Sequence, residues 1–294
     1  MPALVATART WGEMIKFGHS VFALPFALLA TFLAARPQRP TWGQLGLIVL
    51  CMVAARSAAM TFNRIVDARL DARNPRTAGR ALPRGTISIS AAWLFFAVAC
   101  LVFVLGAAGF FWLHRNAWPL RLAGPVLLLL CSYSYTKRFT RWSHLILGAA
   151  IACAPVAAWI AINPGTLSAP TWLLFVAAAS WIAGFDLIYA CQDVDFDRAH
   201  DLHSVPARMG VSSALWLARV CHLLTVGALV GVGLTATLGT LYYTGVGCVA
   251  VLLAVENCLV SPGDLSRVNL AFFTVNGIVG LLLGILGVLD VILS

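Results

Sequence analysis

Two short acidic runs stand out in a chain that carries few acids. There are 11 Asp and Glu among 294 residues. Six of them fall in Asn63-Arg-Ile-Val-Asp67-Ala-Arg-Leu-Asp71 and in Asp193-Val-Asp195-Phe-Asp197 with Asp201 just beyond. On a helix, Asn63, Asp67 and Asp71 stand at i, i+4 and i+8, on one face over about 12 Å. Asp193, Asp197 and Asp201 repeat the spacing. A stack of carboxylates repels itself, so positive charge is expected against it. Oxygen donors in this pattern suit a hard cation, and Mg²⁺ in particular is held by one or two carboxylates together with substrate phosphates. Bases lie close by. Arg73, Arg76 and Arg80 follow the first run, and Lys137 and Arg138 lie in Tyr133-Ser-Tyr-Thr-Lys137-Arg138. Arginine grips phosphate oxygens as a bidentate fork and lysine acts as a point charge. Solvated loop charges would need no ligand, but the doubling of one pattern in an acid-poor chain favours a metal and phosphate site. There is no Walker A run and no GxGxxG, so a nucleotide-driven pump is not expected.

The elements that must hold these residues are membrane helices. Hydrophobic residues make up 61% of the chain and charged residues 11%, against about 45–50% and 25% in soluble domains. A soluble, disordered, collagen-like or disulfide-framework class is excluded. An all-α integral membrane bundle remains, because helices of about 20 residues satisfy their own backbone in a core of roughly 30 Å. Nine apolar stretches are expected to span: 15–35, 43–62, 87–111, 117–135, 143–161, 171–191, 212–233, 236–257 and 268–292. Both acidic runs then sit at span ends on one side. The net charge of +9 serves topology rather than nucleic acid, for which nothing else argues. Fourteen Lys and Arg fall in alternate loops on the acidic side and four on the other, which places the N-terminus in the cytoplasm. No cleavable signal peptide and no soluble segment is legible, so residues 1–294 are expected to form a single membrane domain.

Other polar residues carry less. The eight cysteines form no CxxC and read as small apolar packing residues. The histidines show no ligand spacing, and His203 beside the second run is the one worth testing. Lys16 and Arg56 are, by charge, the residues to consider for a substrate carboxylate, with Lys16 preferred for its place near the start of the first span.

These motifs resemble those of the UbiA family of intramembrane prenyltransferases. The first run continues as Arg76-Thr-Ala-Gly-Arg80-Ala-Leu-Pro83-Arg-Gly85, similar to the family's RTxxRPLPxG. Tyr133 to Arg138 is similar to its YPxxKR. The second motif is Tyr189-Ala-Cys-Gln-Asp193-Val-Asp-Phe-Asp197, reaching His203-Ser204. Nine spans with motifs after the second and sixth also follow the family's layout. Ala81 stands where the family has Pro, and Leu202-His203-Ser204 where many relatives carry Lys-Ser. The stretch from Gly184 to Arg208 looks most like the branch of 4-hydroxybenzoate polyprenyltransferases.

The resemblance implies transfer of a polyprenyl group from its diphosphate to a ring carbon of an aromatic acid, in ubiquinone or menaquinone biosynthesis. It makes Asp67, Asp71, Asp193 and Asp197 catalytic and, with Asn63, ligands of Mg²⁺. It assigns Lys137, Arg138, Tyr133, Arg76, Arg80 and Tyr189 to the diphosphate and the acceptor, and Lys16, by its charge, and His203, by its place beside the second run, are added to them. It also implies a bacterial inner-membrane enzyme with its site facing the cytoplasm, within the lipid bilayer. Two alternatives stand beside this: the same chemistry on 1,4-dihydroxy-6-naphthoate, and, more remotely, a cation-coupled transporter. The topology is checked by cysteine labelling or reporter fusions, which should place residues 64–86, 137–142 and 192–211 in the cytoplasm. A periplasmic signal from any of them overturns the orientation.

Overall fold

The computed structural model describes residues 10–15 and 20–294. Apart from an isolated bridge between Ser261 and Asp264, the regular structure of the described residues is helical. A helix occupies each expected stretch: α1 (Ser20–Ala35), α2 (Trp42–Arg73), α3 (Ile89–His114), α4 (Trp118–Thr136), α5 (Ser143–Ile162) and α6 (Ala169–Ala190). After a 3₁₀ turn, Cys191–Asp193, come the short α7 (Val194–Ala199) and α8 (Val205–Met209), then α9 (Val211–Thr235) and α10 (Thr240–Leu259). A π-helical turn, Leu270–Val275, leads into α11 (Asn276–Leu293). Among the described residues, seven helical segments are long and apolar enough to cross a membrane; nine crossings were expected. Within the described residues the apolar part of α1 is Phe22–Ala35, and α4 interleaves Arg121 and a run of Ser, Tyr and Thr with its apolar residues.

The chain divides into two compact units: residues 1–20 with 49–135, and residues 21–48 with 136–294. α2, which belongs to the first unit from residue 49 onward, is 32 residues long, about 48 Å at 1.5 Å per residue. That exceeds a hydrocarbon core of roughly 30 Å, so its last turns carry Asn63, Asp67 and Asp71 past the apolar part of the helix. The chain then turns back. Thr77 donates its hydroxyl to the Asp71 carbonyl at 3.0 Å, and the Arg76 amide donates to Asn74 Oδ1 at 3.0 Å. Gly85 takes φ +71°, a left-handed conformation that costs glycine little. Leu82 and Ile87 bury against Met14, Ile15 and Ala92, which fixes this loop, and Ser88 caps α3 by accepting from the Ala91 amide at 3.2 Å.

In the second unit α6 is the central helix. Of its apolar window 67% is buried, against 33–44% in the other six. It packs between α5 and α9, and small residues permit the close approach. A Cβ on Gly148 would strike the Ala179 carbonyl and crowd Ala183, and one on Gly184 would strike His222. Trp181 is fully buried and donates its indole N–H to Asn276 Oδ1 at 2.7 Å, and Asn276 in turn donates to Glu256 at 2.8 Å. The C-terminal end of α6 buries Leu187, Ile188 and Cys191 with Val205, Ala214 and Leu215, so the second acidic segment leaves a fixed end.

Gly148→Ala should therefore destabilise by about 1–3 kcal/mol through overpacking. Gly124, where an added Cβ would meet open space, should gain up to about 1 kcal/mol as Ala in mid-helix. Thermal unfolding in detergent measures both, and a neutral Gly148→Ala removes the tight α5–α6 contact from the account.

Candidate active site

The first acidic run is one continuous helical face, as its spacing implied. Asn63 Nδ2 donates to Asp67 Oδ2 at 3.0 Å. Asp71 is 7% exposed and receives Arg80 Nη1 on both oxygens, at 2.6 and 2.7 Å. Arg64 Nη1 stands 4.0 Å away on the other side. The positive charge expected against the carboxylates is thus supplied by the loop that folds back after α2, together with a residue of α2 itself. Arg76 lies in that same turn, and Tyr133 lies on α4 of the same unit.

The second run departs from its expected regularity. Asp193 ends the 3₁₀ turn with φ −106° and ψ 10°, Asp197 sits in α7, and Asp201 has φ +50°. The four-residue repeat is therefore not one helical face. Asp201 points outward, 85% exposed, and pairs with Arg208 at 2.6 Å. Asp197 is fully buried. Its Oδ2 accepts from Ser204 Oγ at 2.7 Å, and its Oδ1 lies 2.8 Å from Lys137 Nζ. That second contact is ionic rather than an aligned hydrogen bond. Ser204 also caps α8 by accepting from the Ala207 amide at 3.3 Å. The backbone amide of His203 donates to the Lys137 carbonyl at 2.7 Å, so the loop that follows the acids is stitched to the segment bearing Lys137 and Arg138. His203 Nε2 receives Arg208 Nη2 at 3.0 Å, which engages its ring with that arginine. Tyr189 stacks on Phe272, with ring centroids 4.2 Å apart. Lys16 lies outside the described residues.

The structure therefore gathers Asn63, Asp67, Asp71, Arg76 and Arg80 in one unit and Lys137, Arg138, Asp193, Asp197 and His203 in the other. The donor chemistry fits a hard divalent cation. The donors are all oxygens, Asp197 Oδ1 is buried without a hydrogen bond, and Asn63, having turned its amino group to Asp67, keeps its amide oxygen for a ligand. Among the described residues, however, no three His, Cys, Asp or Glu side chains gather as a ready-made metal site. Bases hold Asp71 and Asp197 instead.

The family model described as the UbiA prenyltransferase family matches residues 23–278. The chain belongs to that family. It is a prenyltransferase by membership, and the transporter alternative is set aside. The chain is 31% identical to a 4-hydroxybenzoate octaprenyltransferase of Vibrio parahaemolyticus over 283 residues, 96% of this chain and 94% of the relative. A protein of the same name from Vibrio cholerae is 31% identical over 261 residues, 86% and 87% of the two chains. Among solved structures, the apo UbiA homolog from Aeropyrum pernix K1 superposes with a TM-score of 0.83 at 29% identity, covering 92% of this chain and 98% of that one. A UbiA homolog from Archaeoglobus fulgidus bound to GPP and Mg²⁺ shares the fold, with a TM-score of 0.73 at 19% identity over 97% and 100% of the two chains.

Sequence reasoning misses three contributors. Arg64 reads as one more loop arginine, yet it is 6% exposed beside Asp71. Ser204 reads only as the tail of a motif. His144 and Asp186 form a pair at 2.7 Å, for which the acid inside the apolar run of α6 is the available sign.

Lys137→Ala and Ser204→Ala each remove a contact to the buried Asp197 carboxylate. Ser204→Ala should cost about 1.5–3 kcal/mol, the range for hydrogen bonds to charged groups, and Lys137→Ala, which leaves a buried carboxylate without its ion-pair partner, at least as much. Arg141, which stacks on Trp142 at 5.1 Å in the same loop, should cost under about 0.5 kcal/mol as Ala. Thermal unfolding of the purified variants checks the ranking, and equal shifts for all three would remove the Asp197 contacts from the stability account.

Proposed function

We propose that this enzyme transfers a polyprenyl group from its diphosphate to a ring carbon of 4-hydroxybenzoate or a similar aromatic acid, with Mg²⁺, on the cytoplasmic face of a bacterial inner membrane. The observation that carries the reading is that each acid run is neutralised by its own phosphate-suited base, Asp71 by Arg80 and Asp197 by Lys137. The names of the Vibrio relatives support the aromatic acceptor and the prenyl donor, and a solved UbiA homolog bound to GPP and Mg²⁺ supports the metal and the diphosphate. Residues 1–294 act as one catalytic domain in this reading, consistent with a family match that runs through both units.

Asn63, Asp67, Asp71, Asp193 and Asp197 would hold the metal. Mg²⁺ supplies, when bound, charge neutralisation of the leaving diphosphate. Arg80 and Lys137, which now pair with Asp71 and Asp197, would turn to the phosphate oxygens where those carboxylates held the cation. With Arg76 and Arg138 they stabilise the negative charge that gathers on the leaving oxygen as the allylic C–O bond breaks, where preorganised donors are most effective. The ring carbon ortho to the phenol oxygen then attacks the allylic cation. For the acceptor carboxylate Lys16 remains the first assignment, and Arg56, a cation within α2 whose Nε is buried without a hydrogen bond, stands beside it.

The test is incubation of membranes with Mg²⁺, a polyprenyl diphosphate and either 4-hydroxybenzoate or 1,4-dihydroxy-6-naphthoate, with mass spectrometry of the products. Asp67→Ala, Asp71→Ala, Asp193→Ala and Asp197→Ala should each lower turnover at least about tenfold, the effect of 1.4 kcal/mol in the barrier. EDTA should abolish it. Full activity in EDTA, or in any two of these variants, overturns the assignment.

A further inference from the structure

One polar pair of the second unit has no part in binding metal or diphosphate. His144 is the second residue of α5 and Asp186 lies on α6, and His144 Nδ1 is 2.7 Å from Asp186 Oδ2. The two members differ in setting. The histidine side chain is 4% exposed and the aspartate 22%, so the carboxylate is the member that faces outward and the imidazole stands behind it. An ionised carboxylate only accepts hydrogen bonds, so Nδ1 carries the proton and donates it. The far ring nitrogen, Nε2, is buried with no partner. In that tautomer it presents only a lone pair to the interior, which is the cheaper of its two orphaned forms.

A pair that served only to tie α5 to α6 would be sealed on both sides. Here Oδ2 is fixed by the imidazole and Oδ1 makes no hydrogen bond among the described residues. The helix sets where that oxygen lies. Asp186 and Tyr189, three residues apart on α6, share a face, and the same helix runs directly into the turn that bears Asp193. The carboxylate therefore stands roughly 10 Å, two helical turns, short of the acidic segment, on the membrane side of it. A prenyl chain runs from its diphosphate toward the apolar part of the bundle, so an acceptor ring that meets its first carbon does so on that side of the acidic segment.

We propose that Asp186 is the base that receives the hydroxyl proton of the aromatic acceptor, and that His144 is a positioning residue that holds and polarises it. The inference rests on the reading of a phenolic acceptor given above. As the allylic C–O bond breaks, its electron pair leaves on the diphosphate oxygen. The phenol O–H proton passes to Asp186, its electron pair becomes the ring C=O, and the ortho carbon uses a ring electron pair to form the new C–C bond. The resulting dienone loses its ring proton to a diphosphate oxygen, and the phenol oxygen recovers its proton from Asp186. The products are the prenylated phenol and protonated diphosphate, and the carboxylate is regenerated.

The experiment compares wild type, Asp186→Asn and His144→Asn, purified in nanodiscs with Mg²⁺ and a polyprenyl diphosphate. The acceptors are 4-hydroxybenzoate and its 3-chloro derivative, whose hydroxyl is more acidic. Asp186→Asn should lower kcat by roughly 10²–10⁴-fold, the range of general-base catalysis, with the donor KM within about twofold. The loss should shrink at least about tenfold with the chlorinated acceptor, because an already acidic hydroxyl needs less help from the base. His144→Asn should show a smaller loss of the same acceptor dependence, and it carries the reading if Asp186→Asn does not fold. A loss of equal size with both acceptors means a structural tie and overturns the inference, as does a kcat within threefold of wild type. Wild-type enzyme that prenylates neither acceptor overturns the underlying function instead.

Discussion

Charge neutrality at the edge of the bilayer is the constraint from which the rest of this structure follows. A buried carboxylate without a partner costs several kcal/mol, and the chain buries Asp71 and Asp197 almost completely. Each is answered by a base from a different stretch of sequence, Arg80 from the loop after α2 and Lys137 from the loop after α4. Those two contacts dictate where the loops go. The turn through Asn74 and Thr77 exists to bring Arg80 back, and the backbone bond from His203 to Lys137 closes the second acidic segment over its lysine.

How legible this was depended on sequence distance. The helical stretches and the first acidic face could be read because 3.6-residue periodicity and apolar length are local properties. Asn63, Asp67 and Asp71 simply continue the helix that precedes them. The second segment could not be read in the same way. Asp193, Asp197 and Asp201 keep the four-residue spacing, but α6 ends at Ala190 and a 3₁₀ turn follows. The bond from Ser204 and the pull of Lys137 hold Asp197 inside while Asp201 turns out to solvent. His144 and Asp186 lie 42 residues apart, and no spacing rule joins them. Only the cost of an acid inside an apolar helix marks the position.

The span map shows a complementary trade. Apolar content located α1 and α4 correctly as helices, yet α4 spends its last turns on Ser132, Tyr133, Ser134, Tyr135 and Thr136. That polarity is the cost of carrying a motif on the helix itself. In α2 the chain met the same need differently, by growing to 32 residues so that the apolar part and the acidic part do not compete for the same turns.

The contact between Trp181 and Asn276 has a consequence for how the protein is made. Its two ends are separated by 95 residues, and Asn276 also holds Glu256, which is fully buried. At roughly 5–20 residues per second, the ribosome needs about 5–20 s to produce Asn276 after Trp181 has been synthesised. For that interval the indole of the central helix, and then Glu256, wait in or beside the insertion machinery without their native partner. The helix that carries Asn276 thus completes the polar interior of helices made before it.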